Sequence, residues 1–383
     1  MNLSKFIFNG LLVIKQWAHA DVLSSGDFLY LMRNDTVTKV LMLGSEEWEW
    51  NFSNVNLPDS PSHSIGQAEK VVRLMESILI ERDIELHIVQ GSKGPMPRFS
   101  KTPTINTTLH YWPIYWAYGT EDYKNNSKQG NKLSDPRQGQ DIIPLKIATT
   151  LLNKGHKHRC QLMDVLQRDD FLSKNGIYFS WHNHEVKRCT INNPDGYKFL
   201  YWKENDRQYF LDNTFESISP INQEHPTPRE AYLGAIHIVS ESQAEGIFWT
   251  EKTWNPIKWG VPFVIISGCC INKDLELYGF ELYTELFDYK FDEHPSYSDR
   301  LEDFMSQLTE LRKKYSYRGG LQDLRRLVEP KVHRNRERLK EIIFNRKFIP
   351  PIVLSLLEQH GAHKEDWEIF HMNMQHNTHK ENK

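Results

Sequence analysis

The chain has 383 residues, of which 39% are hydrophobic and 25% are charged. This composition excludes a largely disordered chain, and the length exceeds what one hydrophobic core usually serves, so two domains are predicted. The formal net charge of −3 argues against duplex nucleic acid as the main partner, because such proteins normally carry a basic excess.

The predicted elements of the N-terminal half are a strand, a helix and two further strands, at Thr38–Leu43, Val71–Leu79, Ile84–Val89 and Ile105–Leu109. A strand, a helix and a strand in this order predict parallel pairing through a right-handed crossover. Residues 121–140 are polar and lack an apolar period, which is typical of a loop or linker. The first domain is therefore predicted to span residues 1–140.

The same alternating plan continues in the C-terminal half. Strands are predicted at Leu145–Leu152, Phe199–Trp202, Tyr209–Leu211, Ala235–Val239 and Val261–Ile266, and helices around Leu162–Leu166, at Thr250–Trp259, at Leu301–Lys314 and from Leu321 to Ile343. Each half of the chain is therefore expected to form an α/β domain. The second domain is predicted to span residues 141–330, followed by C-terminal helices and a frayed tail at 331–383.

The compartment is predicted from the cysteines and the N-terminus. Four cysteines (Cys160, Cys189, Cys269 and Cys270) lack zinc-site spacing and do not suggest a disulfide framework, which favours a reducing, cytoplasmic compartment. Phe6–Ile14 is apolar and precedes a signal-peptidase-like Ala-His-Ala, but Asn9 and Lys15 interrupt it, so a cleaved signal is the less favoured of two open alternatives. No run of about eighteen apolar residues exists, and no membrane span is expected.

The segment Ala235–Gly268 carries the main functional signal. Its first strand ends at Glu241, and in parallel α/β folds the carboxyl ends of strands open onto the ligand crevice. Thr250 is a predicted N-cap, and the helix N-terminus together with Lys252 favours a bound phosphate. Glu241 and Glu251 can accept hydrogen bonds from ligand hydroxyls such as a ribose diol. The alternative for Glu251 and Lys252 is a pair of solvated first-turn charges.

A second basic segment precedes the helix around Leu162. His158 and Arg159 follow a strand and a glycine-containing turn, and they stand at the predicted start of that helix. An arginine offers a planar fork of donors that matches two phosphate oxygens, so this turn is a candidate anion site. The alternative is a basic turn that faces water.

These residues resemble the donor-binding motif of the α-1,3-fucosyltransferase family, in which Glu-Asn is followed by Asp-Tyr-Ile-Thr-Glu-Lys and a Val-Pro-Val-Val strand. The chain has Glu-Ser at 241–242, Ile-Phe-Trp-Thr-Glu-Lys at 247–252 and Val-Pro-Phe-Val at 261–264, with the family's spacing from Glu241 to Thr-Glu-Lys. Phe248 replaces the tyrosine, which keeps a ring for stacking and removes one hydrogen bond. Arg159 matches an upstream arginine that contacts the donor phosphates in the family. The resemblance covers roughly Leu145–Arg300.

The resemblance implies a GT-B-type glycosyltransferase: two facing Rossmann-like domains, with the acceptor bound by the N-terminal domain and the donor by the C-terminal one. It implies a sugar nucleotide, GDP-fucose in this family, an acceptor hydroxyl on a glycan or another molecule, and inversion at the anomeric carbon. No Asp-x-Asp motif follows a strand, so no metal or other cofactor is expected. Arg159, Lys252 and the helix N-terminus are expected to neutralise the leaving diphosphate instead.

An inverting transfer also needs a base, and two candidates come from the N-terminal domain. Glu46 and Glu47 follow the first strand beside Trp48 and Trp50, and partial desolvation by these rings would raise a carboxyl pKa toward that of a useful base. His110, at the end of its own strand, is the second candidate. The alternatives are surface acids beside a loop tryptophan and a buried structural histidine.

Two other functions are compatible with the sequence. One is a non-catalytic protein that keeps a glycosyltransferase-like fold for binding or assembly. The other is a glycosyltransferase acting on modified nucleic-acid bases, for which a basic helical face would bind the phosphate backbone. That face would consist of Arg312–Lys314, Arg318 and Arg325–Arg326. The neutral pI makes nucleic acid the less favoured partner.

Overall fold

The computed structural model describes residues 7–15, 34–43, 76–93, 104–114, 144, 146–151, 157–169, 177–180, 234–241, 243–244 and 246–362. The chain divides into two compact units: Met1–Tyr115 with Phe348–Lys383, and Trp116–Lys347. The first unit thus ends earlier than the predicted bound at 140, and it also includes the segment from Phe348 onward, which was predicted as part of a separate C-terminal region. The predicted strands at 199–202 and 209–211 lie outside the described residues.

The first unit contains a five-stranded sheet. Its strands, in spatial order, are β1 (Ile7–Phe8), β2 (Leu11–Lys15), β3 (Lys39–Leu43), β4 (Glu85–Gln90) and β6 (Thr107–Tyr111). All neighbours pair in parallel except β1 and β2, which form an antiparallel hairpin. A further short strand, β5, spans Ser92–Lys93. The predicted parallel strands of this half are thus confirmed, with bounds shifted by one or two residues.

The hairpin between β1 and β2 was not predicted, although its signal is local. Its two turn residues, Asn9 and Gly10, have φ values of 45° and 92°. An Asn-Gly pair with positive φ at both positions is the favoured two-residue turn between antiparallel strands. The apolar N-terminal stretch therefore contributes β2, whose neighbour in the sheet is β3.

One face of this sheet packs against a helical segment. Residues 76–81 are helical, which confirms the last part of the predicted helix, while residues 71–75 lie outside the description. Because side chains alternate along a strand, every second residue of β3 and β4 reaches the same core. That core includes Val40, Met42, Leu86, Ile88, Ile78 and Leu79. The opposite face bears the polar residues Glu85 and His87 on β4.

A C-terminal helix belongs to the same unit. Helix α6 (Pro351–Gln359) buries Val353, Leu356 and Leu357. The residue that follows it, His360, accepts a hydrogen bond through its carbonyl from Asn9 Nδ2 at 2.8 Å. The His360 ring also lies 2.9 Å from the Asn9 carbonyl through Nδ1. The end of the described chain is therefore fastened to the β1–β2 turn.

The second unit contains a four-stranded, fully parallel sheet. Its strands, in spatial order, are β11 (Phe263–Ile265), β9 (Gly234–Val239), β7 (Lys146–Leu151) and β8 (Ile177–Ser180). Strand β9 and the run from Val261 to Ile266 are buried throughout, as a strand covered on both faces requires. The mixed α/β class predicted for the chain is thereby confirmed.

The described part of this unit contains the helices α1 (Lys157–Arg168), α2 (Glu251–Trp259), α3 (Ile271–Glu276), α4 (Tyr297–Lys314) and α5 (Gly320–Phe344). A 3₁₀ helix spans Tyr289–Glu293, and a short strand, β10, spans Ile247–Phe248. Helix α2 begins at the predicted N-cap, Thr250, and ends at Gly260 in the left-handed conformation. Its nine residues include Pro256, and the predicted helix at Thr250–Trp259 is confirmed. Among the described residues, no helix combines the length and apolar character needed to cross a membrane.

Candidate functional site

The order of the second sheet reverses between β7 and β9. From β7 the chain continues to β8 on one side, whereas β9 and then β11 lie on the other side. In open α/β sheets, ligands bind outside the carboxyl ends of the strands at such a reversal. Both predicted donor segments follow these two strands: His158 and Arg159 come after β7, and Glu241 comes directly after β9.

His158 and Arg159 lie in the first turn of α1 and reach across to the end of β9. Arg159 Nη2 donates to the Ser240 carbonyl at 3.0 Å, and its side chain is only 1% exposed. His158 Nε2 lies 2.8 Å from the Glu241 carbonyl, so the ring donates through this nitrogen. Burial lowers the pKa of His158 to about 4, and the positive charge of Arg159 makes a smaller contribution in the same direction. His158 is therefore neutral near pH 7, and both residues hold the end of β9 in place.

The Glu241 carboxylate is fully buried and faces the start of α2. Its Oε1 accepts from Thr250 N at 2.9 Å and from Thr253 Oγ1 at 2.5 Å, and its Oε2 accepts from Thr250 Oγ1 at 2.5 Å. The carboxylate thus occupies the place of an anion at a helix N-terminus. Its observed contacts position α2, and its predicted contact with a ligand hydroxyl stays a prediction.

Several hydrogen-bonding groups at the start of α2 are bonded to other groups of the protein. Thr250 Oγ1 accepts from Lys252 N at 3.3 Å, and the Thr250 carbonyl accepts from the amides of Thr253 and Trp254. Lys252 Nζ lies 3.3 Å from the same hydroxyl, and its side chain is partly exposed. Of the two predicted donor-site cations, Arg159 is buried and Lys252 is the one that an anion from the solvent can reach. For Glu251 the structure describes the backbone at the first helical position and not the side chain.

The aromatic residues of the motif are core residues. Phe248 and Trp249 are 1% and 0% exposed, and Trp249 Nε1 donates to the Ile271 carbonyl at 3.3 Å. The Trp249 ring packs edge-on against Trp254 and Tyr278. In this arrangement Phe248 is covered by protein, and its predicted stacking on a donor stays a prediction.

Arg300, which was not predicted from the sequence, is a further residue of this candidate site. Its guanidinium is 2% exposed and donates to the carbonyls of Ser267, Ala244, His294 and Pro295. Ser267 in turn accepts from Glu241 N through its hydroxyl at 3.1 Å. Arg300 therefore joins the chain after β11 to the chain after β9. A signal was present, because Arg300 shares the buried stripe of α4 with Phe304, Leu308 and Leu311.

Tyr297, one turn before Leu301 on α4, lies in the same cluster. Its ring packs edge-on against His158 at 5.6 Å, and the Arg300 guanidinium lies 5.7 Å from its ring centre. Its hydroxyl is buried and has no hydrogen-bond partner among the described residues. Burial raises the pKa of this phenol far above its usual range, so it remains a neutral group that can donate a hydrogen bond.

The candidate bases belong to the first unit. Glu46 and Glu47 lie outside the described residues. His110 is the fourth residue of β6, near its carboxyl end, and its Nε2 lies 3.1 Å from His87 Nδ1. Burial lowers the pKa of His110, and the neighbouring His87 makes a smaller contribution in the same direction.

Three cations of the predicted basic face on α4 and α5 have partners within the protein. Lys313 pairs with Glu310 and Arg326 with Asp323, while Arg325 Nη2 donates to the Gly234 carbonyl at 2.6 Å. The first two pairs are spaced three residues apart on their own helices. Cations with such partners favour the interpretation as solvated helix surface over a nucleic-acid face.

Comparisons with known proteins yield no match, whether to family models, to curated proteins or to solved structures.

Proposed function

We propose that the second unit binds a sugar nucleotide and that the protein is an inverting glycosyltransferase of GT-B architecture. The supporting observation is that both segments predicted to form the donor site are linked by hydrogen bonds at the sheet reversal. Arg159 and His158 bind the carbonyls of Ser240 and Glu241, and the Glu241 side chain binds Thr250 at the start of α2. Residues far apart in sequence thus share one edge of the sheet, where nucleotide ligands bind in this class of fold.

Lys252 and Arg159 have different surroundings, and we therefore propose different roles for them. Lys252 would contact the donor diphosphate, because its side chain is partly exposed beside the helix start. Arg159 would act mainly by holding α1 to the end of β9 and by adding positive potential, since its guanidinium is buried against a carbonyl. In the reaction, the acceptor oxygen attacks the anomeric carbon as the bond to the diphosphate oxygen breaks. Positive groups at the diphosphate stabilise the charge that develops there.

Nucleotide binding by Lys252 is the direct test. We expect GDP or GDP-fucose to raise the melting temperature of the wild-type protein, because a ligand that binds only the folded state stabilises it. Lys252→Ala should weaken the affinity for GDP about tenfold or more, measured by titration calorimetry, since one charge-assisted contact contributes roughly 1.5–3 kcal/mol.

Lys258→Ala is the matched control. Lys258 is a partly exposed lysine in the last turn of the same helix, and its replacement should leave GDP affinity unchanged. Equal affinity of the Lys252 and Lys258 variants would remove Lys252 from the site. A wild-type protein that none of the common nucleoside diphosphates stabilises would contradict the proposed function.

A further inference from the structure

A row of polar residues crosses one face of the sheet in the first unit. The sheet register pairs Lys39 with Glu85, His87 with Thr108 and Val89 with His110. Because strand residues alternate between faces, Lys39, Glu85, His87 and His110 all lie on one face, opposite the apolar core. This row runs over three adjacent strands, β3, β4 and β6.

Contacts connect these four side chains in series. Lys39 Nζ lies 2.9 Å from Glu85 Oε2, and Glu85 Oε1 lies 2.9 Å from His87 Nε2. The second contact is within ion-pair distance, although its alignment falls short of a well-formed hydrogen bond. His87 Nδ1 lies 3.1 Å from His110 Nε2, and the two rings stack with their centres 5.3 Å apart.

The Glu85 carboxylate, at one end of this series, determines which ring nitrogen carries the proton in His87 and in His110. A hydrogen bond from the Lys39 ammonium lowers the pKa of Glu85, so Glu85 is an ionised acceptor at neutral pH. A carboxylate beside His87 Nε2 favours the proton on that nitrogen, which leaves a lone pair on Nδ1. His110 must then donate through Nε2. The lone pair of neutral His110 is therefore on Nδ1.

The free end of the series is His110 Nδ1. This nitrogen has no hydrogen-bond partner among the described residues, and the His110 side chain is partly exposed. Burial lowers the pKa of both His87 and His110, so both rings are neutral near pH 7. His110 also lies near the carboxyl end of a parallel strand, the edge at which α/β proteins place reactive groups.

We propose that Glu85, His87 and His110 form a proton relay whose terminal base, His110 Nδ1, takes the proton of the acceptor hydroxyl. This inference rests on the proposed function and selects His110 over Glu46 as the base. The acceptor O–H bond breaks and its proton moves to Nδ1, while the acceptor oxygen forms the new glycosidic bond. The electron pair of the broken bond at the anomeric carbon leaves with the diphosphate. Glu85 balances the imidazolium charge through His87, which makes both of them positioning residues.

The relay is tested without any substrate by nitrogen-15 NMR of the histidine rings. We expect both His87 and His110 to carry their proton on Nε2 at pH 7.5. Glu85→Gln should lower the pKa of His87, because the carboxylate that favours its charged form is gone. His87→Gln should release the His110 ring into a mixture of tautomers, and His87→Phe keeps a ring there if the glutamine variant fails to fold. A proton on Nδ1 of His110, or an unchanged His87 titration, would overturn the relay.

The catalytic role is tested by GDP release from GDP-fucose, with water in place of the acceptor hydroxyl. His110→Gln should reduce kcat by about 10²–10⁴-fold, the usual contribution of a general base, with the affinity for GDP unchanged. Glu85→Gln should shift the acidic limb of the pH–rate profile to lower pH, which a purely structural residue would not do. His333→Gln, on the exposed surface of α5, is the control and should retain full activity.

The outcomes separate the two proposals. Normal turnover in His110→Gln with intact GDP binding would reject His110 as the base and leave the proposed function standing. Failure of the wild-type protein to bind GDP or GDP-fucose would contradict the proposed function and the catalytic role of His110 together. In that case, the NMR titrations would still decide whether the relay exists.

Discussion

At the scale of single residues, buried charged and polar side chains hold the candidate donor site together. Arg159, Glu241 and Arg300 are each no more than 2% exposed, and the side chain of each hydrogen-bonds to another segment of the same unit. Burial of such groups is tolerated only when hydrogen bonds replace the lost water. Their replacement is therefore expected to affect the positions of whole elements as well as ligand contacts.

The buried His158 predicts an acid-dependent loss of stability. Its pKa is about 4 in the folded protein against about 6.5 when unfolded, so between these values the unfolded chain binds the proton and the folded one does not. The free energy of unfolding should therefore fall as the pH drops from about 6.5 to about 4, by roughly 3 kcal/mol from this residue. His158→Gln should flatten this dependence in urea unfolding measured across that range. An identical pH dependence in the variant would contradict the assignment.

At the scale of elements, the loops after β9 and β11 approach each other closely. A Cβ built on Gly268 would lie 1.6 Å from the Gly246 carbonyl oxygen, a distance that no side-chain rotation can relieve. The absence of a side chain at this position lets Ser267 reach the amide of Glu241. The geometry of the candidate donor site therefore depends on a glycine at this position, because a side chain here would force the two loops apart.

Gly268→Ala should destabilise the protein by more than the roughly 1–3 kcal/mol of ordinary overpacking, because main-chain atoms must move. Gly319→Ala is a useful comparison, since its φ of 87° costs about 1–2 kcal/mol while its Cβ meets only the end of the Gln322 side chain, at 3.6 Å. Denaturant unfolding of the two variants measures the difference. A smaller loss for Gly268→Ala than for Gly319→Ala would show that the two loops are farther apart than described.

At the scale of the whole molecule, the two units are not two consecutive halves of the chain. The first unit includes the C-terminal segment from Phe348, whose helix α6 supplies buried apolar side chains and whose His360 binds Asn9. The segment from Phe348 is therefore expected to contribute to the stability of the first unit.

Truncation after Lys347 should therefore weaken the first unit selectively. Hydrogen exchange should accelerate in β2 and β3, because the apolar contacts of α6 and the link to Asn9 are lost, and stay slow in β7 and β9. Truncation after Gly361 keeps α6 and is the control. Uniform acceleration in both sheets would show instead that the units unfold as one.

The sequence by itself determined the α/β class, most strand positions and the cap of α2, because these depend on local periodicity and on short-range hydrogen bonds. It also selected His158, Arg159, Glu241 and Lys252 as members of one site. It did not reveal that the Glu241 carboxylate binds the start of α2, that Arg300 joins the chain after β9 to the chain after β11, or that His87 contacts His110. The tertiary structure alone decided these, because His158 and Glu241, which are 83 residues apart, meet only when strands from separate parts of the chain pair in one sheet.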